Sequence, residues 1–265
     1  MSLSASAPPE QGDIIAAEHV YKIYGTGKQA LQALADVTFS VREKEFVTIV
    51  GPSGCGKSTL LQILAGLVPA SSGRVFVDGQ PMAGPQPEKI SVMFQDAWLL
   101  PWKTAVENVE FPLSLHKVSA IERRPRAMEL LDLVGLAGYA ERYPGELSGG
   151  MKQRVAIARC LVREPRVLLM DEPFAALDEQ TRTRMGNELL HIWEKTSRTV
   201  VFVTHGLTEA IYLADRVFVM GTRPGRIIES FSIELPRPRN FEMIGSESFG
   251  RLRNHIWELI GEEGG

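Results

Sequence analysis

The chain has 265 residues, 44% of them hydrophobic and 23% charged, which is typical of a globular protein built as one large domain or two closely packed ones. Its net charge of −3 gives no support for a nucleic-acid-binding surface, so we expect no nucleic-acid partner. No stretch is long and apolar enough to span a bilayer, the N-terminus lacks a secretion signal, and the two cysteines suggest no disulfide framework. We therefore expect a protein of the reducing cytoplasm.

The chain begins with a Ser-, Ala- and Pro-rich stretch, residues 1–13, that we expect to be disordered. Short strands are predicted over residues 14–20 and 35–41. Between them, Tyr24 lies just ahead of a flexible loop. Its ring either stacks on an adenine face or packs under the loop, and the sequence favours neither interpretation.

The clearest motif is a glycine-rich loop between a predicted buried strand, residues 45–50, and a predicted helix, residues 59–67. It fits the pattern G-x-x-x-x-G-K-[ST], in which backbone amides at a helix N-terminus surround phosphate oxygens. Lys57 suits the β- and γ-phosphates, and the Ser58 hydroxyl suits Mg²⁺. A mere glycine-rich turn is the alternative, but the flanking strand and helix favour nucleoside triphosphate binding. The residues predicted to contact the nucleotide are Gly51, Ser53, Gly54, Cys55, Gly56, Lys57, Ser58 and Thr59.

Further strands are predicted over residues 74–79 and 90–94, the second ending at Gln95. An amide at the end of a core strand either reaches Mg²⁺ or an attacking water, or merely caps a loop. The apolar run Trp-Leu-Leu-Pro-Trp, residues 98–102, follows in a predicted loop. It either tucks into a core or forms a docking surface for another protein.

From residue 104 to about 163 the pattern is helical, including a predicted helix over residues 122–134. Within this block, Ser148 is a natural N-cap, and Gly149 and Gly150 open a helix with exposed amides. That arrangement is a second anion cradle in the same chain. A helix cap alone explains Ser148, yet paired glycines are poor helix formers unless the backbone must approach something.

Polar groups also end two later strands. A buried strand delivers Asp171, which suits Mg²⁺ through water, and Glu172, which suits polarising an attacking water, although an ordinary strand exit places acids there too. An amphipathic helix over residues 179–196 leads to a strand, residues 199–203, that ends in Thr204 and His205. The His205 imidazole either contacts the γ-phosphate or is a hydrogen-bonded loop residue.

The remainder alternates a helix, residues 208–214, with strands over residues 216–220 and 226–233, before a Pro-Arg stretch, residues 235–239, and a helix near residues 246–260. Alternating strands and helices predict an α/β fold with a mostly parallel sheet covered on both faces, and the helical block is predicted as an inserted subdomain. Active groups at strand C-termini agree with the usual site position in such sheets.

Together and in this order, the motifs resemble the ATP-binding-cassette (ABC) family, specifically the nucleotide-binding subunit of a membrane transporter, over residues 14–233. The resemblance implies an ATPase with ATP and Mg²⁺ as cofactors, built on a P-loop NTPase core with an antiparallel β subdomain. It also implies an ABC ATPase domain over residues 14–240, a helical subdomain inserted at about 96–163 and a C-terminal helical extension over residues 241–265.

The family's residue roles carry over to matching positions. The resemblance implies adenine stacking by Tyr24, Mg²⁺ coordination by Ser58, Gln95 and Asp171, and catalysis by Glu172, His205, Lys57 and Gln95. Residues 176–178 match the D-loop. In that family two subunits sandwich two ATP molecules head to tail, so Ser148, Gly149 and Gly150 would face the nucleotide of the second copy. One departure is Met151, which replaces the glutamine of the common LSGGQ signature.

The signature LSGGM, residues 171–178 and residues 223–227 resemble the nitrate/sulfonate/taurine-type importer branch. This branch implies a second copy of the chain, a separate membrane permease docking near residues 95–102, and, indirectly, a substrate-binding protein. It places the chain peripherally on the cytoplasmic face of the cell's inner membrane.

Two rival functions remain. A soluble ABC ATPase of translation or DNA repair usually carries two cassettes or a long coiled-coil insertion, and this sequence has neither. A P-loop kinase would need an acceptor site and would leave Ser148 and His205 unexplained. Free phosphate as the product would indicate hydrolysis, and a phosphorylated acceptor would indicate a kinase.

Overall fold

The computed structural model describes residues 12–263, so most of the stretch predicted to be disordered lies outside the described residues. The strands are, in chain order, β1 (Asp13–Tyr24), β2 (Leu31–Arg42), β3 (Phe46–Val50), β4 (Ser72–Val77), β5 (Gln80–Pro81), β6 (Ile90–Met93), β7 (Val167–Asp171), β8 (Thr199–Thr204), β9 (Arg216–Gly221) and β10 (Arg226–Ser232). The α-helices are α1 (Lys57–Leu64), α2 (Ala105–Leu115), α3 (Ala120–Leu133), α4 (Gly149–Leu161), α5 (Glu179–Thr196), α6 (Leu207–Leu213) and α7 (Glu247–Glu263). Short 3₁₀ turns cover Gly27–Gln29, Ala137–Tyr139, Pro144–Glu146 and Phe241–Gly245.

The described residues form two compact units. The second unit is Pro87–Arg198, and the first unit is made of the described chain up to Gln86 and from Thr199 onward. The predicted helical block falls within the second unit as α2, α3 and α4.

An antiparallel sheet in the first unit has the strand order β2-β1-β4-β5. Val37, Phe39 and Val41 alternate inward along β2, as their spacing predicts. Strand β1 continues to Tyr24, four residues beyond its predicted end at Val20. Register shifts around Val20 break the alternation there, and this explains why the sequence pattern hides the end of the strand.

A second sheet region of the first unit places β3 between β8 and β9, with both pairs parallel, and β10 antiparallel beside β9. Every residue of β3 and β8 is buried, as expected for strands covered on both faces. Helix α7 packs against α6 and β9, and it contributes the fully buried Phe249 and Ile256.

The second unit combines the parallel pair β6 and β7 with four helices, of which α2, α3 and α4 pack on one another. Each of the four helices begins at a side chain that accepts a hydrogen bond from its first turn. These N-caps are Thr104, Ser119, Ser148 and Asp178. Thr104 forms a capping box with Glu107, and the hydrogen bond from the Thr104 amide lowers the pKa of the Glu107 carboxyl.

Asn108 on α2 fastens the loop before that helix. Its side chain is fully buried, and its Oδ1 accepts the Leu100 amide at 2.7 Å. Its Nδ2 donates to the carbonyl oxygens of Leu100, Lys103 and Thr104 at 3.2, 3.0 and 2.9 Å. Residues 100–104 therefore have a fixed backbone although they form no helix or strand.

We expect Asn108→Ala to lower the free energy of unfolding by about 2–3 kcal/mol, because the Leu100 amide and the Lys103 carbonyl lose the side chain that pairs with them and a buried cavity is left. Denaturant titration measures this change, and Asn254→Ala, at an exposed position on α7, is the matched control with an effect within about 0.5 kcal/mol. A loss no larger than that of the control would show that the loop does not depend on Asn108.

Candidate functional site

The phosphate loop joins β3 to α1 in the first unit, in the strand, loop and helix order that the sequence predicts. Gly56 is the N-cap of α1 and has a φ of 99°, a left-handed conformation that glycine adopts without strain. Because Gly56 has no side chain to cap the helix, the first amides of α1 are offered to an anion.

Lys57 is the buried cation of this loop. Its side chain is only 4% exposed, and its Nζ donates to the carbonyl oxygens of Gly51 and Pro52 at 2.9 and 3.0 Å. Phosphate oxygens are charged acceptors, which bind an ammonium group more strongly than neutral carbonyls do. The loop therefore fits the phosphates of a nucleotide, with Ser53, Gly54 and Ser58 exposed at its surface and the Cys55 side chain buried.

Gly225 packs directly against the main chain of the phosphate loop, and the sequence does not predict it as part of the site. A Cβ at this position would lie 2.0 Å from the Cys55 carbonyl oxygen and 3.0 Å from that of Ala33. Gly225 also exchanges main-chain hydrogen bonds with Ala33 and Ala35, at 3.0 and 2.9 Å. In the sequence, Gly225 lies within residues 223–227, which resemble the importer branch but give no sign of a contact with the loop.

Tyr24 ends β1, and its side chain is 39% exposed. The Lys22 ammonium lies 4.8 Å from the centroid of the Tyr24 ring and donates to the Pro69 carbonyl at 2.8 Å. The ring is therefore oriented by a neighbouring cation and remains accessible. Stacking on adenine stays a prediction.

His205 follows β8 directly, and β8 pairs with β3 so that Thr204 lies opposite Val50. Because the two strands are parallel, the phosphate loop and His205 leave the sheet at the same edge. The Thr204 Oγ1 accepts the Gly206 amide at 2.9 Å and donates to Glu209 Oε2 at 2.5 Å. The first unit thus brings together two predicted elements of the site that are far apart in the sequence.

In the second unit, the pairing of β6 with β7 places Met93 opposite Met170. Gln95, Asp171 and Glu172 follow these two residues, so they too share one sheet edge. Glu172 has a φ of 44°, a strained value for a residue other than glycine. Such strain is typical of functional positions, where the surroundings hold the backbone in place.

The signature motif begins α4. The Ser148 side chain accepts the Met151 amide at 3.3 Å, so the helix-cap interpretation is realised in the structure. Because this bond uses the Met151 backbone, the replacement of glutamine by methionine leaves the cap intact. Ser148 and Gly149 are exposed, which leaves the helix N-terminus accessible.

Helix α4 also holds the loop that follows β6. The Arg159 guanidinium donates to the carbonyl oxygens of Ala97 and Trp98 at 2.5 and 2.7 Å, and Gln153 Nε2 donates to that of Gln95 at 3.1 Å. Burial lowers the pKa of Arg159. Trp98, at a φ of 45°, and Trp102 are 68% and 70% exposed, so neither tryptophan tucks into a core.

The D-loop is fixed in a similar way by Arg182, which the sequence did not single out. Its guanidinium donates to the carbonyl oxygens of Phe174, Ala175 and Leu177 at 3.3, 3.4 and 3.0 Å. Asp178 then caps α5 by accepting the Thr181 amide at 2.9 Å, and that bond lowers the pKa of the Asp178 carboxyl.

No group of three or more His, Cys, Asp or Glu side chains suited to a metal ion occurs among residues 12–263. A Mg²⁺ ion that accompanies a nucleotide does not require one, because it takes one or two protein oxygens together with phosphate oxygens and waters. Ser58 in the first unit offers a hydroxyl oxygen, and Gln95 and Asp171 in the second unit offer amide and carboxylate oxygens. Each is a hard donor of the kind that Mg²⁺ prefers, and their joint coordination of the ion stays a prediction.

Comparison with known proteins gives consistent matches. A family model described as ABC transporter matches residues 34–175. An uncharacterized ABC transporter ATP-binding protein from Methanocaldococcus jannaschii is 47% identical, over 93% of this chain and 91% of the relative. A taurine import ATP-binding protein from Rhizobium johnstonii is also 47% identical, over 88% of this chain and 90% of the relative.

Among solved structures, a dimeric ATP-binding cassette in a post-hydrolysis state bound to ADP and Pi matches with a TM-score of 0.73. It is 35% identical and covers 84% of this chain and 100% of the solved one. The likeness confirms the predicted fold class, a P-loop NTPase core of parallel strands flanked by helices with an antiparallel β subdomain and a helical subdomain.

We expect Gly225→Ala to weaken ATP binding by about 5- to 100-fold, because overpacking against the phosphate loop typically costs about 1–3 kcal/mol. Calorimetric titration with ATP measures the change. Gly250→Ala on α7, where an added Cβ meets nothing within 4 Å, is the matched control. Equal affinities for the two variants would contradict a supporting role for Gly225.

Proposed function

We propose that this chain, which belongs to the ABC transporter family, is the ATP-hydrolysing subunit of an importer for a small sulfonate such as taurine. The observation that carries the proposal is the phosphate loop with its buried Lys57, which shares a sheet edge with His205. The 47% identity to a taurine import ATP-binding protein supports the transported class. The chain is an ATPase, and ATP with Mg²⁺ is its substrate complex.

Each predicted residue has a proposed role in hydrolysis. Lys57 and the amides of the loop bind the phosphates, and Ser58, Gln95 and Asp171 hold Mg²⁺, which neutralises phosphate charge when bound. Glu172 polarises the attacking water as a general base. His205 orients that water and the γ-phosphate through its imidazole. Tyr24 stacks on the adenine ring.

Two copies of the chain sandwich two ATP molecules in the proposed active form. The exposed N-terminus of α4, at Ser148 and Gly149, then addresses the γ-phosphate bound by the other copy. This explains why one chain carries two anion cradles. The dimeric solved cassette supports the arrangement. Hydrolysis cleaves the bond to the γ-phosphate, and release of the phosphate then removes the charge that bridges the copies, so that the dimer reopens.

A separate permease supplies the path across the membrane. Within residues 12–263, no helix has the length and apolarity needed to cross a bilayer. The permease docks on the loop over residues 95–102, where Trp98 and Trp102 are exposed on a backbone fixed by Arg159 and Asn108. The chain then works peripherally at the cytoplasmic face of the inner membrane, and a substrate-binding protein delivers the solute to the permease.

We expect the Glu172→Gln variant to form a stable dimer when ATP and Mg²⁺ are added, because loss of the general base traps the bound state. Light scattering should then show the 29.3 kDa chain doubling in mass. Adding Ser148→Arg should abolish the dimer, because a bulky cation would block the α4 N-terminus. A wild-type chain that stays monomeric and phosphorylates an acceptor would instead establish the kinase alternative.

We expect Trp98→Ala combined with Trp102→Ala to weaken permease binding by about 10- to 100-fold, because exposed tryptophans often dominate interfaces. Co-purification with the permease and permease-stimulated ATP hydrolysis measure the loss. Trp257→Ala on α7, where the side chain is 69% exposed, is the matched control. If the double variant bound as well as the control, the docking surface would lie elsewhere.

A further inference from the structure

The helix after His205 has an unusual C-terminal end. The last four carbonyl groups of an α-helix have no partner within the helix. In α6 each of them accepts a hydrogen bond from a side chain elsewhere in the first unit. The donors are Thr48 Oγ1 to Ala210 at 3.1 Å, Arg239 Nη1 to Ile211 and Tyr212 at 3.1 and 2.8 Å, and Arg237 Nη2 to Leu213 at 2.9 Å.

Arg239 is built into the fold rather than lying on its surface. Its side chain is 8% exposed, and burial lowers its pKa to about 10, so the guanidinium still carries its charge at neutral pH. The Tyr212 hydroxyl donates back to the Arg239 carbonyl oxygen at 3.3 Å. The Tyr212 ring stacks on Phe241, with centroids 5.9 Å apart and planes within 3°. The Pro-Arg stretch and the end of α6 therefore form one packed cluster.

Arg237 links this cluster to the strand that carries the phosphate loop. Its Nε and Nη2 donate to Asp215 Oδ1 at 2.9 and 2.7 Å. The other carboxylate oxygen of Asp215 accepts the Phe46 amide at 2.9 Å, and the Asp215 amide donates to the Phe46 carbonyl at 2.7 Å. Phe46 is the first residue of β3. One end of α6 is thus tied through Asp215 to the strand that ends at the phosphate loop.

His205 lies next to the N-terminal end of α6. Helix α6 has seven residues and is therefore about 10 Å long at 1.5 Å per residue. A helix of two turns is a short, stiff rod. Gly206 is its N-cap, and the Thr204 hydroxyl bonds to Glu209 in its first turn. A shift of the C-terminal end by an ångström would therefore also displace His205, which directly precedes the Gly206 N-cap. Misplacement of a catalytic group by about 1 Å can lower a rate by about 100-fold.

We infer that Arg237 and Arg239 are positioning residues for ATP hydrolysis, which cap α6 and thereby hold His205 in register with the phosphate loop. The inference rests on the role proposed for His205. On this inference the Pro-Arg stretch, residues 235–239, contributes to ATP hydrolysis. The stretch follows all of the recognised motifs in the sequence.

The experiment is a double-mutant cycle on the purified full-length chain, with steady-state ATP hydrolysis as the readout. We expect Arg239→Met to lower kcat about 10- to 100-fold while the KM for ATP changes less than about twofold, because the phosphate loop keeps its contacts. In a His205→Ala background the same change should lower kcat less than about twofold, because residues that act as a unit are not additive. Arg253→Met, at an exposed position on α7, is the matched control and should match the wild type.

A purely structural arginine gives a different pattern, in which Arg239→Met lowers kcat equally in both backgrounds or raises KM. Either result overturns the inference. If the methionine variant does not fold, Arg239→Lys keeps the charge but loses the fork, and it is tested in the same cycle. If His205→Ala alone hydrolyses ATP at the wild-type rate, the role proposed for His205 fails, and the inference falls with it. An impaired His205→Ala variant with an additive Arg239 effect removes the inference alone.

Discussion

The constraint on which the site depends is the burial of one ammonium group, that of Lys57, inside a loop of backbone carbonyls and amides. A buried charge is costly unless it is fully hydrogen-bonded, so the loop must hold its carbonyl oxygens close to Nζ. The packing beneath the loop is tight as well, because Gly225 approaches the Cys55 carbonyl too closely for any side chain. In the proposed complex with ATP, phosphate oxygens offer the same ammonium a stronger partner.

Guanidinium groups donate to main-chain carbonyls at three segments of the site. Arg159 holds the loop after β6, Arg182 the D-loop, and Arg237 and Arg239 the end of α6. The planar fork of arginine suits this task because it donates to two acceptors at once and stays charged. The loop after β6 is thereby fixed although Trp98 and Trp102 are exposed.

The sequence predicts the elements whose signals are local. Helix α5 spans residues 179–196 as predicted, because its amphipathic spacing and the Asp178 N-cap just before it are local features of the sequence. Strand-end residues such as His205 follow from the alternation of strands and helices. The arginine contacts could not be predicted, because every residue has a main-chain carbonyl and the residue type does not show which one accepts a hydrogen bond. Arg159 and Ala97, for example, lie 62 positions apart in the sequence. The two-residue strand β5 also escaped prediction, since it lies at the edge of a Pro- and Gly-rich loop.

The most direct test of the ATP sandwich mixes two inactive variants, Lys57→Ala and Ser148→Arg, and measures phosphate release. In a head-to-tail dimer each ATP lies between Lys57 of one copy and Ser148 of the other. Mixed dimers then contain one site that carries both changes and one site that carries neither. We expect the mixture to hydrolyse ATP while each variant alone does not. A mixture no more active than its separate components would contradict it, because each ATP would then be hydrolysed by the residues of a single chain.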